Sequence, residues 1–305
     1  MKKIVSIGLC VLMVVLVGCS APVPTDILSV VATIFPYYDF ACQMGGRFAQ
    51  VSMLIPPGGE VHGFEPTLQD LVLIENCDVF IYNGGQGDSW VEDLLKNCDT
   101  SNKQILRMMD HVALLAAEEE DHDHDHHHSH EEWDEHIFTT PGNALKMAQE
   151  IAKAMTKADE TNRENYQKGF ETLKGELTAL SKSYEVLRSA EPPLVIADRF
   201  PFLYLTHEYN LSYVAAFSGC TANSEGDLKT LYELKRTASE NQSGVILCTE
   251  FSNGQLAQTV ATGIGGRVAR WHSCHNVTKD EWEQKVTYVS LMKENLQVLK
   301  EALAL

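Results

Sequence analysis

Basic residues are scarce in this sequence. It contains 24 Lys and Arg residues against 42 Asp and Glu residues, so the formal net charge at pH 7 is −18. Because nucleic-acid binding depends on clustered basic side chains that neutralise phosphates, this balance argues against a nucleic-acid partner. An acidic surface favours solubility and attracts cations, but acidity alone does not make a metal site.

Familiar catalytic signatures are also missing. The chain has no H-E-x-x-H, G-x-S-x-G, Walker or dinucleotide-binding motif. Nothing in the sequence therefore specifies a familiar enzyme class.

The apolar run at the N-terminus, Ile4–Val17, is short of the roughly 20 residues that a membrane-spanning helix needs. Two lysines precede it and small residues follow it, which is typical of a signal peptide. The segment Leu16-Val17-Gly18-Cys19-Ser20 resembles a bacterial lipobox. This resemblance implies that residues 1–18 are removed and that Cys19 carries lipid. Residues 19–27 are then a tether on the outer side of the cell membrane.

Eight cysteines are present, and two of them fall in the predicted signal peptide and anchor. The even number that remains permits disulfides outside the cytosol. Cys220 and Cys274 each follow a predicted strand of the C-terminal half, and we predict a disulfide between them. A second disulfide is predicted between Cys77 and Cys98.

Apolar stretches typical of strands alternate with amphipathic stretches in both halves of the chain. This alternation predicts an α/β protein with mainly parallel sheets flanked by helices. Residues 28–158 and residues 192–305 are each predicted to form one lobe. The final helix of the second lobe is predicted to run unbroken from Lys279 to Leu303.

One apolar seam lies between the two halves, within residues 159–191. Its members recur at alternating spacings of four and three, which indicates a single face of a helix roughly 45 Å long at 1.5 Å per residue. Pro192 and Pro193 end this helix. A coiled-coil dimer needs a similar seam, but an isolated one favours packing within the same chain. We predict a helix that joins two lobes, with a ligand cleft at the carboxyl ends of their strands. The seam consists of Tyr166, Phe170, Leu173, Leu177, Leu180, Tyr184 and Leu187.

The candidate metal-binding histidines of the first half fall into three settings. His62 lies in a Gly/Pro-rich loop between a predicted strand and a predicted helix. Residues 118–135 form a His/Asp-rich tract, which cannot build a core and is predicted to be a mobile loop that holds metal loosely. A solvated acidic loop without function is the alternative for this tract. His136 follows it but belongs to an ordered segment that leads into a helix.

Another group of candidate ligands, in the second half of the chain, follows the last predicted strand. His272, Cys274 and His275 lie within four residues and could bind a metal from one loop. Alternatively, Cys274 is disulfide-bonded and one histidine only hydrogen-bonds the loop.

Several of these segments resemble the zinc/manganese-binding lipoprotein receptors of ABC importers. The resemblance runs from about Val30 to the C-terminus. It implies two α/β lobes joined by one long rigid helix, with a metal site in the cleft between them. It also implies a monomeric, non-enzymatic, extracytoplasmic receptor, anchored by lipid, that delivers an ion to an importer permease. The segments that carry the resemblance are Thr33-Ile34-Phe35-Pro36-Tyr37-Tyr38-Asp39-Phe40, residues 54–67 (L-I-P-P-G-G-E-V-H-G-F-E-P-T), Tyr82-Asn83-Gly84-Gly85 and Asp134-Glu135-His136.

The ligands that this resemblance implies can be placed one at a time. His62 and His136 match the first two family ligands. Arg199 falls on the third, where it cannot bind a cation because it stays protonated. The fourth position falls at or near His272, so His272 and, with less support, His275 are predicted to replace the missing donor.

Two carboxylates are further candidates near the predicted site. Asp198 is a weaker candidate ligand, and Glu250 is predicted to orient an imidazole. A set of imidazoles with few carboxylates suits Zn²⁺ better than Mn²⁺.

Two other functions fit a histidine site of this kind. In an exported zinc-dependent hydrolase, His62, His136 and His272 would hold zinc with an open position for water, and Glu250 or Glu60 would act as the base. In a surface adhesin, the metal would be only structural.

Overall fold

A computed structural model describes residues 27–117, 133–217, 228–240 and 243–305 of the chain. Several predictions lie outside these residues: the signal peptide over residues 1–18, the lipidated Cys19, residues 118–132 of the tract, and Cys220. None of the helices in the described ranges has the length and apolar character needed to cross a membrane.

The first lobe is built on a sheet of four parallel strands in the order β2-β1-β3-β4. All four residues of β3 are buried, as expected for a parallel sheet that helices cover on both faces. The strands are β1 (Leu28–Ala32), β2 (Ala49–Met53), β3 (Val79–Tyr82) and β4 (Gln104–Arg107). The helices are α1 (Phe35–Gly45), α2 (Leu68–Asn76), α3 (Ser89–Leu95) and α4 (Pro141–Ala158).

The second lobe repeats this arrangement, with four parallel strands in the order β6-β5-β7-β8. In each lobe the first strand lies between the second and the third. The strands are β5 (Leu194–Ile196), β6 (Tyr213–Ala215), β7 (Val245–Cys248) and β8 (Arg267–Arg270). The helices are α6 (Leu203–Tyr209), α7 (Leu228–Glu240), α8 (Gln255–Ile264), α9 (Lys279–Glu283) and α10 (Tyr288–Ala302).

One long helix, α5 (Arg163–Tyr184), joins the lobes, as predicted, and short 3-10 segments extend it at both ends. It packs on α1 and α4 of the first lobe and on α10 of the second. Gly169 allows the close approach to α1, since a Cβ there would lie 2.7 Å from the Met44 Cα atom. The Tyr184 hydroxyl donates a hydrogen bond to the Met292 carbonyl at 2.6 Å. The predicted seam is buried except for Phe170, which is partly buried.

The prediction of one unbroken final helix is wrong. Helix α9 ends at Glu283, and α10 begins only at Tyr288. Lys285, between them, has φ of 55°, a left-handed conformation that cannot continue a helix. Thr287 then caps α10 by accepting a hydrogen bond from the Ser290 N–H.

The predicted disulfide between Cys77 and Cys98 is not formed in the structure. Cys77 and Cys98 are both free thiols, and the Cys77 thiol donates to the Ile74 carbonyl at 3.2 Å. Cys274 is also a free thiol, while Cys220, its predicted partner, is outside the described residues.

Candidate metal centre

Three histidines from separate segments meet between the lobes. His62 lies on the loop from β2 to α2, His136 on the segment before α4, and His275 on the loop after β8. Their ring centroids are 5.4 to 5.8 Å apart. One ring nitrogen from each lies within 4.8 Å of the others, an arrangement that could hold one metal ion. The first lobe contributes two of these imidazoles and the second lobe contributes one.

Carboxylates contact the Nδ1 atoms of the two histidines from the first lobe. Glu135 Oε1 is 3.0 Å from His62 Nδ1, and Asp134 Oδ1 is 3.2 Å from His136 Nδ1. Burial opposes ionisation of both carboxyls, but the hydrogen bonds and charge of the two histidines hold the pKa of each below its usual value. Ligand histidines in metal sites commonly hold a carboxylate on the nitrogen that does not bind the metal.

His275 is the imidazole that the second lobe supplies. Burial, followed by the nearby charges of His136 and His62, lowers the pKa of His275 well below its usual value. The imidazole is therefore neutral, which is the form that coordinates metals. Its ring packs 4.9 Å from the Phe138 ring, and its carbonyl accepts a hydrogen bond from the Phe35 N–H at 3.3 Å.

His272, which was predicted to be a ligand, lies outside this cluster. Its Nδ1 atom accepts a hydrogen bond from the Cys274 N–H at 2.9 Å, and its Nε2 atom is 3.4 Å from Glu281 Oε2. Burial opposes protonation of this imidazole, but Glu250 and Glu281 raise the pKa of His272 well above its usual value. The structure thus pairs His272 with carboxylates of its own lobe.

The local backbone explains why His275 rather than His272 reaches the cleft. Cys274, between them, has φ of 65°, an uncommon left-handed conformation for a residue other than glycine. Asn295 holds the first histidine in place, accepting from the His272 N–H at 2.8 Å and donating to the His272 carbonyl at 2.7 Å. The chain therefore turns after His272 and presents His275 to the first lobe.

Glu250 holds this loop through Ser273, and its carboxylate also lies 3.9 Å from His272 Nδ1. Its two oxygens accept from the N–H of Ser273 at 2.9 Å and from the Ser273 hydroxyl at 2.5 Å. That hydroxyl oxygen in turn accepts from the His275 N–H at 3.1 Å. Glu250 was predicted to orient an imidazole. In the structure it stabilises the loop, and its carboxylate is two hydrogen bonds away from the His275 N–H.

Asp198, the weaker candidate ligand, forms hydrogen bonds with residues outside the histidine cluster. Its Oδ2 atom accepts from the N–H and the hydroxyl of Thr249 at 2.8 and 2.9 Å, and its Oδ1 atom accepts from the Arg199 N–H at 2.9 Å. Asp198 therefore stabilises the turn after β5. Among the residues that the structure describes, the histidine cluster has three members, which leaves a coordination position open on a tetrahedral ion.

Two α/β lobes with three histidines converging in the cleft between them are the architecture of a metal-ion receptor. The chain belongs to the family of the periplasmic component A of zinc-uptake complexes, ZnuA, which matches residues 30–302. It is 31% identical over 288 residues to the high-affinity zinc uptake system protein ZnuA of Bacillus subtilis, covering 93% of this chain and 90% of that protein. The family resemblance predicted from the sequence is thereby confirmed.

Two further similarities involve a pneumococcal protein. The chain is 29% identical over 308 residues to the zinc-binding lipoprotein AdcA of Streptococcus pneumoniae, covering 99% of this chain but only 61% of AdcA. The crystal structure of the Zn(II)-bound ZnuA-like domain of AdcA superposes with a TM-score of 0.75 at 25% identity, covering 92% of this chain and 100% of that domain. The predicted fold of two lobes and a linking helix is confirmed.

Proposed function

We propose that this protein is an extracytoplasmic receptor that binds a zinc ion with high affinity and delivers it to an ABC importer. The observation that carries the proposal is the meeting of His62, His136 and His275 between the lobes. Both lobes supply ligands, so binding or release of one ion is linked to the position of one lobe relative to the other. The zinc-uptake role named for the family and for the Bacillus subtilis relative supports the same function.

Zinc is favoured over manganese by the chemistry of the ligands. Three imidazoles offer nitrogen donors to a tetrahedral ion, whereas manganese prefers more oxygen. The two carboxylates beside the cluster each contact an imidazole Nδ1 atom. They therefore support the histidines and add negative charge near the cation without changing the nitrogen-rich character of the site.

The loop that carries His275 is attached to the first lobe. The Asn276 side chain donates to the carbonyls of Pro56 and Gly59 at 2.8 and 3.0 Å, and the Gly58 N–H donates to the Val277 carbonyl at 2.7 Å. These bonds join the loop after β8 to the loop that leads to His62. Such preorganisation favours tight binding because less chain must be ordered when the ion arrives.

The hydrolase alternative has little support at this site. The oxygens of Glu250, one of the two candidate bases, already accept hydrogen bonds from Ser273. The other, Glu60, is exposed. We therefore favour a receptor that holds its ion as cargo.

Several parts of the proposal rest on the sequence. We propose that residues 1–18 are a signal peptide, that Cys19 is the lipid anchor, and that the protein acts as a monomer. The lobes are assigned to residues 28–158 and 192–305, with residues 159–191 as the linker. The tract over residues 118–135 is assigned to recruiting metal.

Native mass spectrometry combined with elemental analysis tests the proposed function. We expect one tightly held zinc ion per chain, which a chelator removes while the chain stays folded and which rebinds on addition. Unfolding on removal would indicate a structural metal, as in the adhesin alternative. Absence of zinc at one ion per chain would contradict the receptor function.

A further inference from the structure

Glu135 stands between two loops beside the histidine cluster. Its Oε1 atom is 3.0 Å from His62 Nδ1, and its side chain is only 11% exposed. Its Oε2 atom accepts a hydrogen bond from the Gly87 N–H at 2.9 Å. Both carboxylate oxygens therefore have partners, and Glu135 is not a member of the metal-binding group.

A glycine-containing loop after β3 fits closely around this carboxylate. Gly85 has φ of 83°, and a Cβ there would lie 2.6 Å from Glu135 Oε2 and 2.8 Å from the Glu135 Cβ. The Asn83 side chain donates to the Glu135 carbonyl at 2.8 Å. This loop therefore holds both the backbone and the carboxylate of Glu135.

A buried carboxylate stabilises the loop from the other side. Asp88 Oδ2 accepts from the N–H groups of Asn83 and Gly84 at 2.6 and 3.2 Å, and from the Thr33 hydroxyl at 3.3 Å. The Tyr37 hydroxyl donates to Asn83 Oδ1 at 2.5 Å. The position of Glu135 is thus defined by an ordered polar network within the first lobe.

We propose that Glu135 is a positioning residue for metal capture: it accepts the Nδ1 proton of His62, which orients the ring and leaves Nε2 for the ion. The inference rests on the proposed function. A histidine has two distinct ring nitrogens, and a carboxylate on one of them selects both the tautomer and the ring orientation. Because Glu135 directly precedes His136, one short segment supplies one ligand and orients another.

Zinc affinity of substituted proteins tests this role. We expect Glu135→Leu to weaken zinc binding by roughly 10–100-fold, the range seen when partners of ligand histidines are removed. Glu135→Gln keeps an acceptor of similar shape and should lose less. Glu60→Gln is the matched control, because Glu60 is exposed, carries the same charge and lies two residues from His62. Competition with a chromogenic chelator measures each affinity.

A double-substitution cycle shows whether Glu135 acts through His62. We expect Glu135→Leu to add little to the loss caused by His62→Ala, because the ring that it orients is gone. An equal loss in both backgrounds, or no loss with Glu135→Leu alone, would overturn the inference. Unchanged binding by His62→Ala would instead contradict the proposed site itself.

Nitrogen-15 NMR of the zinc-free protein supplies a readout that a purely structural role does not move. The His62 ring should carry its proton on Nδ1 in the wild type and should lose that preference in Glu135→Leu. The same tautomer in both proteins would overturn the inference.

Discussion

Imidazole nitrogens give this centre its chemical character at the scale of single residues. His275 is buried against the His136 and Phe138 rings, and its pKa lies well below the usual value. It can therefore bind a cation without first losing a proton. His272, three residues earlier, instead lies beside the carboxylates of Glu250 and Glu281. Two histidines of one loop thus have opposite electrostatic environments.

The contrast between these histidines gives the first prediction. We expect His275→Ala to weaken zinc binding by more than the roughly 10–100-fold typical of residues that only support ligands. His272→Gln should change the affinity far less, although it should reduce the free energy of unfolding because its carboxylate partners are buried or half-buried. Chelator competition and chemical denaturation measure the two effects. A larger loss of affinity in His272→Gln would contradict the assignment.

Sequence reasoning reached His62 and His136 from their loops and from the family resemblance, and it also named His275. It ranked His272 above His275, because the choice between them depends on the left-handed backbone of Cys274. A cysteine gives no signal for that conformation, which is uncommon outside glycine. The contact of Glu135 with His62 was missed for a different reason: it joins residues that are far apart in the chain and adjacent only in the fold.

Asp39 gives a prediction about pH. Burial raises its pKa to about 7 from a usual value of 3.8, although hydrogen bonds from the Tyr288 N–H and from Gln43 oppose the change. The folded chain therefore holds this proton more tightly than the unfolded chain. The contribution of Asp39 to the free energy of unfolding is then largest below its unfolded pKa and falls as pH rises through about 7.

Replacing Asp39 by Asn should remove that pH dependence, and the amide oxygen can still accept from the Tyr288 N–H. We expect the variant to gain roughly 1–3 kcal/mol in the free energy of unfolding relative to the wild type between pH 4 and pH 8. Urea denaturation at both pH values checks it. A difference between the two proteins that does not change with pH would contradict the prediction.

At the scale of elements, the sequence located the secondary structure well but not every boundary. The predicted alternation of apolar and amphipathic stretches corresponds to alternating strands and helices in both lobes, and the predicted seam lies on α5. The break between α9 and α10 was missed because helical apolar spacing continues across it. What interrupts the helix is the backbone of one residue, Lys285, and a threonine cap at Thr287.

Lys285 therefore offers a test at the level of one element. We expect Lys285→Gly to raise the free energy of unfolding by roughly 0.5–1 kcal/mol, because glycine adopts a left-handed conformation without steric cost but has more unfolded freedom to lose. Lys293→Gly, at an exposed position within α10, should lower it by about 1 kcal/mol. Thermal unfolding of the two variants compares them. A loss of stability in both would show that Lys285 is not strained.

The His/Asp tract is predicted to recruit metal rather than to form the final site. Its flanks are joined by an antiparallel bridge between Ala116 and Trp133 and by a hydrogen bond from the Asp134 N–H to the Leu115 carbonyl at 2.9 Å. The Tyr204 hydroxyl, from the second lobe, accepts from the Leu115 N–H and donates to the Asp134 carbonyl. A deletion within the tract can therefore be closed without moving His136.

Deleting residues 122–130 should leave the tight site intact and abolish additional weak sites. Ordering a residue on binding costs roughly 1–2 kcal/mol, so the preorganised histidine cluster should bind far more tightly than the tract. Metal acquisition should slow only when metal is scarce. Isothermal titration of the deletion variant with zinc measures both classes of site. Loss of the tight site would mean that the tract supplies a primary ligand.

On the scale of the whole molecule, the cleft is held together by contacts that cross from lobe to lobe. Besides the bonds made by Asn276, the Tyr288 hydroxyl of α10 donates to the Phe138 carbonyl at 2.7 Å, two residues from His136. Asp39 of α1 accepts from the Tyr288 N–H at the start of the same helix. An ion bound by His62, His136 and His275 adds one further link between lobes that these hydrogen bonds already join.

We infer that His62, His136 and His275 together bind one zinc ion between the lobes. A crystal structure of the zinc-loaded protein, with anomalous data collected at the zinc absorption edge, tests it most directly. We predict one strong peak about 2.0–2.1 Å from a ring nitrogen of each of His62, His136 and His275, with a non-protein ligand in the fourth position. A peak beside His272 and Glu281, or no peak in the cleft, would contradict the account.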